Sequence, residues 1–156
     1  MSMPRRTVLS AAVAMVGAVL TGPAHAGKRV NQTFFGGVAL NGYDPVAYFT
    51  DSRPVEGLRE YSQSWMGATW RFATARNHAA FAVQPDIYAP QFGGYCAFGI
   101  AQNYTADVDP AAWRVVDNRL YLISSPSILA DWLQDVPGNI AKARANWPGL
   151  SATLAE

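Results

Sequence analysis

Cys96 is the only cysteine in the chain, and His78 is the only histidine after residue 25. A thiolate is a nucleophile and a soft metal ligand, and an imidazole is a general base or a borderline ligand. The pair can therefore be read in two chemical ways. Cys96 with His78 forms the minimum of a thiol-dependent redox or enzymatic site. The same two residues, joined by the thioether of Met66, form a candidate soft site for a cuprous ion. Against both stands the ordinary fate of a free cysteine, which is burial as a small apolar side chain. No base adjoins Cys96 in sequence, so a structural thiol is the favoured reading. His78, flanked at helical spacing by Ala75, Phe81 and Ala82, reads first as a surface or partly buried helix residue.

A second candidate group is aromatic. Tyr43, Asp44 and Tyr48 lie together, and Tyr88 and Tyr95 follow further along, so a tyrosine-lined ligand pocket around the Asp44 carboxylate is one expectation. Asp44 precedes Pro45 and reads equally as a turn former that accepts nearby backbone N–H groups. Asp107-Val108-Asp109-Pro110 begins like an acidic cation loop but lacks the glycine and the distal glutamate of an EF-hand, so it reads as a turn and cap. Haem-attachment, metalloprotease, phosphate-loop, nucleophile-elbow and dinucleotide fingerprints are all absent from the sequence.

The elements that must position these residues are short. Val46–Phe49 reads as a strand. Ser62–Trp65 and Ala68–Phe72 flank Met66-Gly67 as a β-hairpin, and Trp113–Val116 and Leu120–Ile123 flank Asp117-Asn118 as another. Thr74 caps a helix that Pro85 stops near Gln84. A further helix opens at Pro126, with Ile128, Leu129, Trp132 and Leu133 on one face, and the last starts at Pro137 and ends at Pro148-Gly149. Trp70 and Trp147 are expected core anchors. The glycine- and aromatic-rich run from Gln91 to Gly99 implies close backbone approach without declaring its secondary structure. No internal repeat is visible. The reading is a single small α+β domain of short hairpins and short helices.

The N-terminus reads as a leader. Arg5-Arg6, the uncharged run Thr7–Leu20 and Ala24-His25-Ala26 have the order of a secretory signal peptide spanning residues 1–26, and the paired arginines resemble a twin-arginine signal. The expected location is the bacterial periplasm. The apolar run is shorter than the roughly 20 residues of a bilayer span, so no stable membrane span is expected after cleavage. Residues 27–156 carry 10 basic and 11 acidic side chains, a net charge of −1, which removes nucleic acid as a default partner. They retain all 19 aromatic residues of the chain, an excess for their length.

Asn41-Gly42-Tyr43-Asp44-Pro45-Val46-Ala47-Tyr48-Phe49, Gly67-Ala68-Thr69-Trp70-Arg71-Phe72-Ala73, Phe81-x-x-x-Pro85-x-x-Tyr88 and Gly93-Gly94-Tyr95-Cys96 occur in one order. In these motifs the chain resembles the exported branch of the YHS-domain family. The resemblance places a core at residues 41–92 and a C-terminal extension, a hairpin and two helices, at 93–147. It implies a treble-clef-like core and a link to metal handling, with copper the natural soft ion. The cysteines that the family uses as ligands are not carried over, because Ala47, Ala73 and Asn77 stand at or near their positions. The expected function is a non-enzymatic binding or accessory module with a periplasmic partner. A redox protein using Cys96 with His78 and a structural protein-interaction domain are the alternatives.

Overall fold

A computed structural model of the chain describes residues 29–154. The expected leader lies outside the described residues. The protein is a small α+β domain with two separate two-stranded antiparallel sheets and several short helices.

The hairpins form where turn chemistry allows. Strand β1 (Leu58–Trp65) pairs with β2 (Ala68–Phe72) through Met66-Gly67, and β3 (Asp109–Val116) pairs with β4 (Arg119–Ile123) through Asp117-Asn118. All four turn residues have positive φ, the geometry that matches the strand twist in a two-residue hairpin and that glycine, asparagine and aspartate adopt most readily. After each hairpin a hydroxyl caps a helix. Thr74 Oγ1 accepts from Asn77 N at 3.1 Å to start α2 (Ala75–Val83), and Ser125 Oγ accepts from Ile128 N at 3.2 Å to start α5 (Pro126–Trp132).

These are two copies of one unit. Each boundary of the first hairpin recurs 51 residues later in the second, and so do the helix starts. Both long strands carry the same irregularity: Leu58 pairs with Phe72 and Ser62 with Arg71, just as Asp109 pairs with Ile123 and Trp113 with Leu122. Each leaves three extra residues bulged on one strand. Upstream, three consecutive left-handed residues, Leu40-Asn41-Gly42, recur as Phe92-Gly93-Gly94. Each triplet is followed by an extended tyrosine, Tyr43 or Tyr95, and then by a short helix, α1 (Ala47–Thr50) or α4 (Ala97–Ala101). Unit one thus runs over residues 40–83 and unit two over 92–132.

Each hairpin packs in its own core, the second also taking Leu40 and Tyr48 from unit one. Ala68, Trp70, Phe72 and Phe81 form that of unit one, where Trp70 tilts against Phe81 at 5.3 Å. In unit two, Tyr121 tilts against Trp132 at 5.7 Å in the same relation. Tyr48 crosses between the units: its ring meets Trp113 edge-on and its hydroxyl donates to Pro110 O at 2.8 Å, on the bulge of β3. Helix α3 (Pro85–Tyr88) links the units, and α6 (Val136–Thr153) closes the chain over α4. Asn146 Nδ2 fastens that closure by donating to Ile100 O and Ala101 O, two carbonyls at the end of α4.

Four expectations are corrected. Val46–Phe49 is helical: Asp44 Oδ1 accepts from Val46 N and bends the chain into α1. Helix α6 continues through Pro148 to Thr153, because Trp147, Leu150 and Leu154 all pack on the second core and hold the helix despite the lost backbone hydrogen bond. Leu133 is exposed beyond the end of α5. The internal repeat is present in the structure although the sequence does not show it.

Candidate functional site

The Asp44 carboxylate is buried completely and fully employed. Oδ1 accepts from Val46 N at 2.8 Å, while Oδ2 accepts from Ala73 N at 2.8 Å and from Asn77 Nδ2 at 2.7 Å. One side chain therefore ties the loop before α1 to the end of β2 and the first turn of α2. Charged hydrogen bonds of this length are strong, and a buried carboxylate needs them to offset its desolvation. Asp44 is a clamp.

Cys96 occupies the equivalent place in unit two, directly after the tyrosine that follows the left-handed triplet. It is 1% exposed, among Ile100, Leu120 and Ile123 of the second core. Its backbone N–H donates to Ala106 O at 3.0 Å and its carbonyl accepts from Ile100 N at 3.0 Å. The positions facing Asp44 through Ala73 and Asn77 become Ser124 and Ile128 in unit two. The thiol sits in an apolar cluster against which Ile128 also packs, in place of a carboxylate with hydrogen-bond donors.

His78 is partly buried and stacks on Phe72 at 5.2 Å with an 11° interplanar angle. It thus belongs to the core of unit one, whereas Cys96 belongs to that of unit two. Met66 stands at the hairpin tip with half its surface exposed. Among the described residues, no three His, Cys, Asp or Glu side chains gather where they could hold one metal ion.

The five residues of the expected tyrosine pocket divide. Tyr48 is buried, and burial pushes its hydroxyl pKa far above the ordinary tyrosine value, with Tyr43, Asp109 and Asp44 adding to the rise. Burial also raises Tyr95, helped by Asp107. Tyr88 packs edge-on against Phe49 at 5.5 Å. None of the clefts described below is lined by Tyr43, Asp44, Tyr48, Tyr88 or Tyr95.

A cleft with an aromatic lining lies at the tip of the first hairpin. It encloses about 230 Å³, with Trp65, Met66 and Trp70 on one side and Trp147 of α6 on another. Arg29 and Val30 complete it. They are held there because Asn31 N donates to Gly93 O at 2.8 Å and Asn31 Nδ2 to Gly94 O at 3.3 Å. Gly93 has φ of +61°, and a Cβ on it would overlap the Arg29 carbonyl, so a side chain there would displace the N-terminal segment. Trp70 Nε1 is spent on Trp65 O at 3.0 Å, which fixes the two indoles edge to face. The equivalent hairpin tip in unit two, Val116-Asp117, lines a groove of similar volume against α6, with Arg144 and Ile140. A third hollow of about 320 Å³ lies among Asp86, Ile87 and Asp117 to Arg119.

Sequence reasoning took Trp147 as a core anchor, and the structure leaves it half-buried at the mouth of this cleft. Trp65 and Arg29 were missed as site residues. The available signal was a large aromatic beside a hairpin turn, too common to be diagnostic. Comparison with family models, curated proteins and solved structures finds no match.

Proposed function

We propose that this chain is an exported, non-enzymatic binding module with a YHS-like core at residues 41–92. The observation that carries the reading is where the chemically capable residues are spent. Asp44 uses both carboxylate oxygens on three protein donors, and Cys96 is enclosed in an apolar core. The accessible hollow at the first hairpin tip is instead lined by tryptophans, a methionine and one arginine, residues that bind rather than transform. The motifs shared with the YHS family and the leader-like N-terminus support the rest: a treble-clef-like core, the periplasm as location and a role as an accessory to another periplasmic component.

The metal-handling form of this reading has a direct test. Protein recovered from its native compartment is submitted to elemental analysis, and the apo protein is titrated with Cu(I) against a competing chelator. The expected result is no stoichiometric copper. One equivalent of Cu(I) that disappears in both Cys96→Ala and His78→Ala would replace the binding module with a metal carrier.

A further inference from the structure

The cleft at the first hairpin tip has a definite charge character. Trp65, Trp147, Met66 and an edge of the otherwise enclosed Trp70 line it, and Arg29 is the one charged residue on its lining. No aspartate or glutamate lines it. Among the described residues the ion pair is Arg53 with Asp51, so the Arg29 guanidinium has no carboxylate partner there. The groove at the second hairpin tip is built oppositely, with Asp117 and Arg144 both on its lining and no indole. An arginine on the lining of an aromatic hollow, with no carboxylate partner among the described residues, complements a ligand with a flat apolar body and one anionic end. A volume of about 230 Å³ falls below the range of drug-sized pockets, which suits a molecule of one or two rings.

We propose that the cleft formed by Trp65, Trp70, Trp147, Met66 and Arg29 binds small aromatic carboxylates, the rings lying against the indoles and the carboxylate accepting from Arg29. This rests on the binding-module reading and names the ligand class for it. Trp70 is enclosed and its N–H is occupied by Trp65 O, so it backs the cleft while the ring contact falls on Trp65 and Trp147. Selection for an acid therefore falls on Arg29, while affinity for the ring falls on the tryptophans.

The test titrates the full chain with three probes sharing one ring system: indole-3-acetate, the neutral 3-methylindole and the cationic tryptamine. Indole-3-acetate is expected to bind at least about tenfold more tightly than either of the others, the worth of one charge-assisted hydrogen bond. Arg29 is exposed, so its side chain can be changed without disturbing a core. Arg29→Gln should bring indole-3-acetate down to the affinity of 3-methylindole, leaving the latter unchanged, and Arg29→Glu should favour tryptamine. Equal binding of all three probes, or a preference for the acid that survives both substitutions, would overturn the anion assignment and leave a binding module selecting rings alone. Binding of none would overturn the cleft as a site for aromatic acids, a failure separate from the copper titration that tests the binding-module reading.

Discussion

The two hairpin units follow one backbone plan with almost no residues in common. Between positions 58–81 and 109–132, equivalent pairs include Trp70 with Tyr121, Phe81 with Trp132 and Thr74 with Ser125, yet Ala79 with Ala130 is the one identity. Unit one holds its loop to its helix with a buried carboxylate, and unit two has a thiol buried in an apolar core at the equivalent position. The hairpin tip of unit one meets α6 at Trp147 in a cleft of indoles with Arg29, while that of unit two meets α6 at Ile140 and Arg144 in a groove without an indole. The difference shows that the same backbone accepts a polar or an apolar side chain after the tyrosine, and that its two hairpin tips carry different linings.

The comparison breaks most readily at the clamps. Asp44→Ala strands Val46 N, Ala73 N and the Asn77 amide in the interior, and chemical denaturation should register a loss of about 3–5 kcal/mol. Cys96→Ala, at the equivalent position, should cost about 1–2 kcal/mol, since only packing is removed. Cys96→Ser should cost more than Cys96→Ala because it buries a hydroxyl. Equal losses for Asp44→Ala and Cys96→Ala would mean that the two positions are not equivalent in role.

The tryptophans sharpen the contrast between core and cleft. Trp70 is enclosed, so Trp70→Ala should cost about 3–5 kcal/mol, whereas Trp147→Ala at the cleft should cost clearly less. Equal losses would return Trp147 to the core and remove it from the site.

The tie between the units gives a pH effect. The Tyr48 hydroxyl holds its proton in the folded state well above the ordinary value of 10.0, mainly through burial. In the unfolded chain it ionises near that value, so above pH of about 10 the unfolded state binds fewer protons and stability falls as pH rises. Tyr48→Phe should make that decline shallower in urea midpoints measured from neutral to alkaline pH. It should also cost about 1 kcal/mol at neutrality through the lost bond to Pro110 O. An unchanged alkaline slope would show that Tyr48 ionises as freely folded as unfolded.

The smallest effect lies in the second core. Trp132 Nε1 is buried with no hydrogen-bond partner among the described residues, whereas Phe81 fills the equivalent place in unit one with no polar atom. Trp132→Phe removes an uncompensated donor while leaving a small void, and the opposing terms should keep the net change within about 1–2 kcal/mol.

The hairpins and capped helices were legible because their signals are local: Met66-Gly67 and Asp117-Asn118 at the turns, Thr74 and the Pro126 region at the helix starts. The rest depends on contacts between distant residues. Nothing near Asp44 in sequence announces Ala73 and Asn77 as its partners, and the apolar run after it looks extended until that clamp bends it. The repeat was hidden because backbone geometry survived where side-chain identity did not. The cleft was hidden because Arg29, Trp65 and Trp147 meet only through the folding of Asn31 onto Gly93.

The claim that binding belongs to the tip of unit one alone can be read from one spectrum. The chain has five tryptophans, Trp65, Trp70, Trp113, Trp132 and Trp147, each giving an indole N–H resonance in a nitrogen-15 correlation spectrum. On titration with indole-3-acetate, the resonances of Trp65, Trp70 and Trp147 should move together, while those of Trp113, packed on Tyr48, and Trp132, enclosed in the second core, stay in place. Movement of Trp132 and Trp113 with the other three still would contradict the account.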